Sequence, residues 1–138
     1  MIYALDTNTI SFLLRPGKNP EVAARFEKIF EQGHDYVIPP LSYYEISWHL
    51  LWKKASAQSL ILDRLYKNSA SQIYMSEEEF IAAARIKAFL MEQGTSIGEK
   101  DGDIFIAAHC IVNGYTLVTD NKKDFDRIDG LTCVNWKD

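Results

Sequence analysis

Short apolar runs alternate with longer amphipathic stretches along the chain, and this alternation constrains the fold more than any other feature. The runs have the length of buried strands, and the stretches between them have the spacing of helices. We predict strands at 2–5, 36–38, 72–75, 116–119 and 131–134, and helices at 9–14, 20–32, 42–54, 56–68, 76–93, 101–113 and 122–126. This order predicts an α/β fold in which helices flank a central, mostly parallel sheet of about four to five short strands.

Composition and charge limit the classes of function. The 138 residues, 47% of them hydrophobic, suit one domain spanning 1–138. A net charge of −4 argues against binding nucleic acid through bulk positive charge, although it is compatible with a nuclease whose bound cations reverse the local charge. We expect a cytoplasmic protein with no membrane association, because no apolar run approaches the ~20 residues that span a bilayer. Cys110 and Cys133 lack metal-site spacing and are predicted to be buried, reduced thiols.

Acidic residues recur where predicted strands end and helices begin. Asp6 directly follows the first apolar run, at the edge of the sheet where α/β proteins place ligands. Further acidic positions near such junctions are Glu45, the pair Asp101 and Asp103, and Asp120. If these side chains converge, they form a pocket for a divalent cation.

Each carboxylate also has a purely structural interpretation. Glu45 lies three residues after Ser42, which is the spacing of a capping box. Asp101 and Asp103 suit the N-cap and first turn of a helix. Asp6 has no cationic neighbour in sequence, and buried carboxylates are normally paired or bound to metal. Converging carboxylates would raise one another's pKa values unless a cation neutralised them, and oxygen ligands favour Mg²⁺ or Mn²⁺ over zinc.

Four motifs together resemble a known family. They are Leu5-Asp6-Thr7-Asn8, Tyr44-Glu45-Ile46, Asp103-Ile104-Phe105-Ile106-Ala107-Ala108-His109, and Leu117-Val118-Thr119-Asp120-Asn121 followed by Asp124-Phe125. Their order and spacing resemble PIN domains, particularly the VapC toxins of toxin–antitoxin pairs, over the whole chain. The resemblance implies a three-layer PIN-like fold and a Mg²⁺-dependent endoribonuclease, most similar to the toxins that cut tRNA. It also implies a cognate VapB-type antitoxin and a homodimer.

The resemblance assigns roles by motif. Asp6 and Asp103 match the principal metal ligands, and Glu45 completes the acidic set. The family's fourth acidic position falls on Asn121, while its flanking carboxylates, Asp120 and Asp124, are alternatives that could bind metal-coordinated water. The resemblance also implies supporting roles. Asp101 would lie at the rim of the metal pocket, and Thr7, Asn8 and Thr119 would orient carboxylates or waters.

Other residues have structural and functional interpretations side by side. His49 and His109 fit packing or surface positions better than catalysis, and His34 fits a loop. The helical stripe Tyr44, Trp48, Leu51 and Trp52 would by default be core, with the alternative that part of it faces an antitoxin or a second subunit. Candidate phosphate contacts, each also readable as solvated surface charge, are Arg15, Lys18, Lys53, Lys54, Lys122 and Lys123.

Two rival functions fit some of the same residues. A phosphohydrolase would use Asp6 as a covalent nucleophile, but the haloacid-dehalogenase pattern has Asp-x-Asp where this chain has Asp6-Thr7-Asn8. A non-catalytic, metal-stabilised binding module is favoured only by Asn121 in place of an acid. The choice of RNA over DNA as substrate depends on the family resemblance.

Overall fold

The computed structural model describes residues 1–94 and 101–137. The strands of this part are β1 Ile2–Leu5, β2 Asp35–Val37, β3 Thr116–Val118 and β4 Thr132–Val134. Its helices are α1 Thr7–Leu13, α2 Pro20–Glu31, α3 Pro40–Trp52, α4 Ser56–Lys67, α5 Glu77–Glu92, α6 Gly102–Asn113 and α7 Lys122–Phe125. None of these helices combines the length and apolarity that crossing a membrane requires.

The strands form one parallel sheet in the order β2-β1-β3-β4. Ala4 pairs with Val37 on one side and with Leu117 on the other, and Leu117 pairs with Cys133. A parallel sheet covered on both faces needs continuous apolar strands, which explains the short apolar runs of the sequence. All strand carboxyl ends lie at one edge, where the predicted acidic positions follow.

Two core clusters lie on opposite faces of the sheet, because consecutive strand residues point to opposite sides. Ala4 and Leu117 belong to the cluster formed with α5 and α6, whereas Leu5 and Val118 belong to the cluster formed with α1, α2, α3 and α4. Helices therefore cover both faces. The predicted three-layer α/β architecture is confirmed.

The predicted strand at 72–75 is wrong. Residues 71–75 have irregular backbone, and Ile73 and Tyr74 are exposed. The preceding residues meet the edge of the sheet through single hydrogen bonds, from Ala70 N–H to the Tyr36 carbonyl (3.0 Å) and from Ile38 N–H to Ser71 Oγ. Residues 72–75 form no hydrogen-bonded ladder with the sheet, so they do not make a further strand.

The third helix begins two residues before its predicted start at Ser42. Helix α3 begins at Pro40, since proline suits the first helical position, and Ser42 lies inside the first turn with no capping role. The capping-box interpretation of Glu45 therefore fails. Helix α5, in contrast, does begin with a capping box, because Glu79 N–H donates to Ser76 Oγ (3.2 Å) and Ser76 N–H donates to Glu79 Oε2 (2.9 Å).

The aromatic stripe of α3 is not core. Its members are 45–74% exposed: Tyr44, Trp48, Leu51 and Trp52. Helix α3 buries the opposite face, which includes Ile46 and Leu50. The exposed face is an apolar surface, and the alternative that it contacts a partner stays a prediction. Both cysteines are buried and form no disulfide, as predicted.

Candidate active site

Asp6 lies where the central strand β1 gives way to α1. Its N–H donates to the Val118 carbonyl (3.1 Å), which extends the pairing of β1 with β3 by one residue. Its carboxylate caps α1, because Oδ1 accepts the Thr9 N–H at 2.8 Å. The side chain is buried, with 6% of the residue exposed. Asp6 therefore joins sheet, helix and site, and its capping role was not predicted from the sequence.

Thr119 holds Asp6 from the neighbouring strand. Thr119 is fully buried, its hydroxyl donates to the Asp6 carboxylate, and its Oγ1 accepts the Asn121 N–H at 3.0 Å. The hydroxyl of Thr9 adds a further link by donating to the Val118 carbonyl (3.0 Å). These contacts fix the position of Thr119 beside Asp6, and its orienting role stays a prediction.

The electrostatic environment disfavours the charged form of Asp6. Burial is the main cause that raises the pKa of Asp6 to about 6, and the charge of Asp120 adds to it. Hydrogen bonds from Thr119 and Thr9 lower the pKa but do not compensate. At neutral pH the ionised carboxylate is thus an energetically unfavourable group.

Thr7 and Asn8 connect other acidic positions to the first turn of α1. Thr7 Oγ1 donates to Glu45 Oε2 at 3.2 Å, and Asn8 Nδ2 donates to Asp120 Oδ1 at 3.1 Å. Each of these side chains therefore donates to a carboxylate, and their role in orienting ligands of the site stays a prediction. The two bonds bring α3 and the segment after β3 to the end of β1.

Asp103 lies in the first turn of α6, partly buried. Burial raises the pKa of Asp103 to about 6, and the charges of Glu45 and Asp124 raise it further. Asp103 therefore shares one acidic environment with residues of α3 and α7. Pairwise contacts thus link the four acidic regions identified in the sequence near the carboxyl end of the sheet.

The three candidates for the fourth acidic position lie in different places. Asp120 faces Asp6 and Asn8, whereas the charge of Asp124 acts on Asp103. Asn121 contributes its backbone N–H to Thr119 and makes no side-chain cap on α7.

Two charged pairs lie beside the acidic residues. The carboxylate of Asp124 lies 3.8 Å from the Arg127 guanidinium. Asp101 is exposed and pairs with Lys87 at 2.8 Å. Asp101 therefore contacts a surface lysine.

The donor chemistry of this region fits a hard divalent cation. Its side chains offer carboxylate, hydroxyl and amide oxygens. Burial is the main cause of the raised pKa values of Asp6 and Asp103, with neighbouring carboxylates adding to it, and a bound cation would favour the ionised form of both. Within residues 1–94 and 101–137, no three Asp, Glu, His or Cys side chains could hold a metal ion as one group. Water would therefore complete the coordination, as is usual for Mg²⁺.

The histidines lie outside this acidic region. His109 is buried on α6, where its Nδ1 hydrogen-bonds Glu79 Oε1, and His49 is exposed against Trp48 and Trp52. The sequence analysis did not predict the contact of Glu79 with His109. One signal was present, because Glu79 lies on the same face of its helix as the buried Ala83 and was therefore a candidate buried carboxylate. His34 lies in a loop, as predicted.

The six basic residues proposed as phosphate contacts are all exposed on the surface: Arg15, Lys18, Lys53, Lys54, Lys122 and Lys123.

The chain is similar to several known proteins over nearly its full length. Ribonuclease VapC1 of Haemophilus influenzae strain R2866 is 27% identical over 136 residues, covering 99% of this chain and 98% of the relative. The tRNA(fMet)-specific endonuclease VapC of Salmonella typhimurium is 25% identical over 134 residues, covering 97% of each chain. The crystal structure of VapBC2 from Rickettsia felis, bound to a DNA fragment from its promoter, superposes with a TM-score of 0.85 at 26% identity, covering 99% of both chains. The family described as PIN domain matches residues 3–131, and the chain belongs to that family.

Proposed function

We propose that this chain is a metal-dependent endoribonuclease and the toxin of a VapC-type toxin–antitoxin pair. The observation that carries the proposal is the chain of contacts at the carboxyl end of the sheet, in which Thr7, next to buried Asp6, donates to Glu45, and the charge of Glu45 acts on Asp103. Relatives named as ribonucleases over nearly the full length support it.

The proposed metal is Mg²⁺, with Mn²⁺ as a substitute. PIN-domain nucleases generally depend on a divalent metal, and Asp6 and Asp103 are the proposed ligands, with Glu45 completing the set. The bound ion would supply positive charge that polarises the phosphate and lowers the pKa of an attacking water. Of the fourth-position candidates, Asp124 is the stronger one, because its charge acts directly on Asp103.

The surrounding residues hold this site in place. Thr119 and the Thr9 N–H fix the Asp6 carboxylate, and Thr7 fixes Glu45. Asp6 is buried and accepts hydrogen bonds from two residues, which argues against its use as a covalent nucleophile in a phosphohydrolase. Hydrolysis by an activated water needs no protein nucleophile.

The proposed partners follow from relatives and surfaces. The Rickettsia felis neighbour is a VapBC complex, which supports a VapB-type antitoxin for this chain. The exposed aromatic face of α3 is a surface for that antitoxin or for a second copy in a homodimer. The Salmonella relative named as tRNA-specific supports tRNA as the RNA substrate. We further propose a cytoplasmic protein in which residues 1–138 form one domain.

Cleavage of RNA by purified protein tests the proposal. Total cellular RNA and purified tRNA are incubated with the antitoxin-free protein in Mg²⁺, in Mn²⁺ and in EDTA. The same assay is run on Asp6→Asn, Asp103→Asn and, as a matched control, Asp63→Asn, which changes an exposed aspartate of α4. We expect discrete fragments with metal, none in EDTA, loss of cleavage in the first two variants, and full cleavage in the control.

Other outcomes favour the rival functions. A folded wild type that cuts no RNA but hydrolyses a small phosphate monoester would favour the phosphohydrolase. A folded wild type that cuts neither, yet is stabilised by Mg²⁺, would favour the non-catalytic binding module. Cleavage that survives both Asn substitutions would show that the site is wrongly assigned.

A further inference from the structure

Gly102 lies in close contact with the carboxylate of Glu45. A Cβ built on Gly102 would be 2.7 Å from Glu45 Oε1 and 3.7 Å from Glu45 Cδ. Carbon and oxygen atoms in van der Waals contact are about 3.3 Å apart or more. Any side chain at position 102 therefore requires the carboxylate to move.

The backbone does not explain a glycine at this position. Gly33, Gly94, Gly114 and Gly130 all have positive φ, which favours glycine, whereas Gly102 does not. Gly102 is the first residue of α6, where glycine is a poor helix former. Among the contacts described, the space needed by Glu45 is the physical reason for a glycine here.

The contact places Glu45 at the N-terminus of α6. Asp101, the N-cap residue, makes no side-chain cap and instead pairs with Lys87, so the Glu45 carboxylate approaches the end of the helix that a cap would otherwise occupy. A negative charge at this end is favoured by the helix dipole. Thr7 holds the other carboxylate oxygen, Oε2, at 3.2 Å.

We propose that Gly102 is a positioning residue, which lets the carboxylate of Glu45 lie against the start of α6 beside Asp103 and so shapes the metal-binding site. This inference rests on the proposed metal-dependent nuclease function. An alanine at this position displaces Glu45 Oε1 by roughly half an ångström, which strains the Thr7 bond and misplaces the carboxylate. The displaced atom ends a flexible side chain, so the fold itself is little affected.

The test compares Gly102→Ala with Gly17→Ala. Gly17 has neither a positive φ nor any atom within 4 Å of its built Cβ, so it controls for the glycine-to-alanine change. Three quantities are measured for wild type and both variants: the urea unfolding midpoint in EDTA, the dissociation constant for Mn²⁺ by calorimetry, and the Mg²⁺ concentration that gives half-maximal RNA cleavage.

For Gly102→Ala we expect an unfolding midpoint equal to or above that of wild type, with Mn²⁺ binding weakened by about 10-fold or more. The Mg²⁺ requirement for cleavage should rise in parallel, and Gly17→Ala should match wild type in metal binding and cleavage. Wild-type Mn²⁺ affinity in Gly102→Ala would overturn the inference while leaving the proposed function intact. A lowered unfolding midpoint together with weaker binding would show a structural role and also overturn it. A wild type that neither binds Mn²⁺ nor cuts RNA would overturn the proposed function, and the inference with it.

Discussion

Replacing Asp6 with asparagine should make the metal-free protein more stable while abolishing its activity. The pKa of Asp6 is raised from 3.8 to about 6, chiefly by burial. Each pKa unit corresponds to 1.36 kcal/mol, so the ionised carboxylate destabilises the folded state by about 3 kcal/mol at pH 7.5. Asparagine is nearly isosteric and its side-chain oxygen still accepts the Thr9 N–H and the Thr119 hydroxyl. The expected gain in the free energy of unfolding is therefore about 2–3 kcal/mol.

The gain should depend on pH in a defined direction. Because the folded state binds the Asp6 proton more tightly than the unfolded state, the destabilisation is complete above pH 6 and disappears below about pH 4. Lowering the pH from 7.5 to 4 therefore relieves this contribution in wild type, but not in Asp6→Asn. The difference in stability between the two proteins should shrink over that range.

Urea unfolding in EDTA at pH 7.5 and pH 4.5, followed by tryptophan fluorescence, to which the buried Trp136 contributes, measures both effects. Asp63→Asn controls for the loss of a surface charge and should change stability by less than about 0.5 kcal/mol. Added Mg²⁺ should stabilise wild type more than Asp6→Asn. An Asp6→Asn protein that is less stable than wild type at pH 7.5, or a stability difference that is the same at both pH values, would refute the electrostatic reasoning.

Three further changes have defined outcomes. Glu79→Ala removes the partner of buried His109 and one half of a capping box, so the free energy of unfolding in urea should fall by about 3–5 kcal/mol. A fall of less than about 1 kcal/mol would contradict this expectation. Trp52→Ser alters an exposed side chain and should leave the unfolding free energy within about 0.5 kcal/mol, while weakening any self-association seen by sedimentation. Thr119→Val removes a hydrogen bond to ionised Asp6, so the acid limb of the pH–rate profile should shift to higher pH, whereas Thr119→Ser should retain the wild-type profile.

Much of the fold follows from local sequence. Four apolar runs predicted the four strands, because each strand of a parallel sheet covered on both faces must be apolar along its length. The Ser76 capping box is encoded within four consecutive residues, so it too was predictable. The segment 72–75 shows the limit, since its short apolar run Ile73-Tyr74-Met75 resembles a strand but forms no ladder at the edge of the sheet.

The site shows the same division between local and distant information. Asp6 was identifiable because a polar residue directly follows a buried strand. The partners of Asp120 and Asp124 could not be predicted from the sequence. Asp120 meets Asn8 only because β1 pairs with β3. Asp124 acts on Asp103 only because the fold brings α7 close to the start of α6. The contact of Gly102 with Glu45 is likewise invisible in sequence, since 57 positions separate the two residues.

The energetics of the site imply an order of events in the proposed reaction. Donors from Thr119 and Thr9 already stabilise the Asp6 carboxylate, yet its pKa stays well above the ordinary value, because burial disfavours the ionised form more than these hydrogen bonds favour it. A phosphate approaching this pocket on a chain of net charge −4 would meet repulsion. Neutralisation by a cation both relieves the folded state and removes that repulsion. Metal binding should therefore precede RNA binding, and the metal should contribute to substrate affinity as well as to hydrolysis.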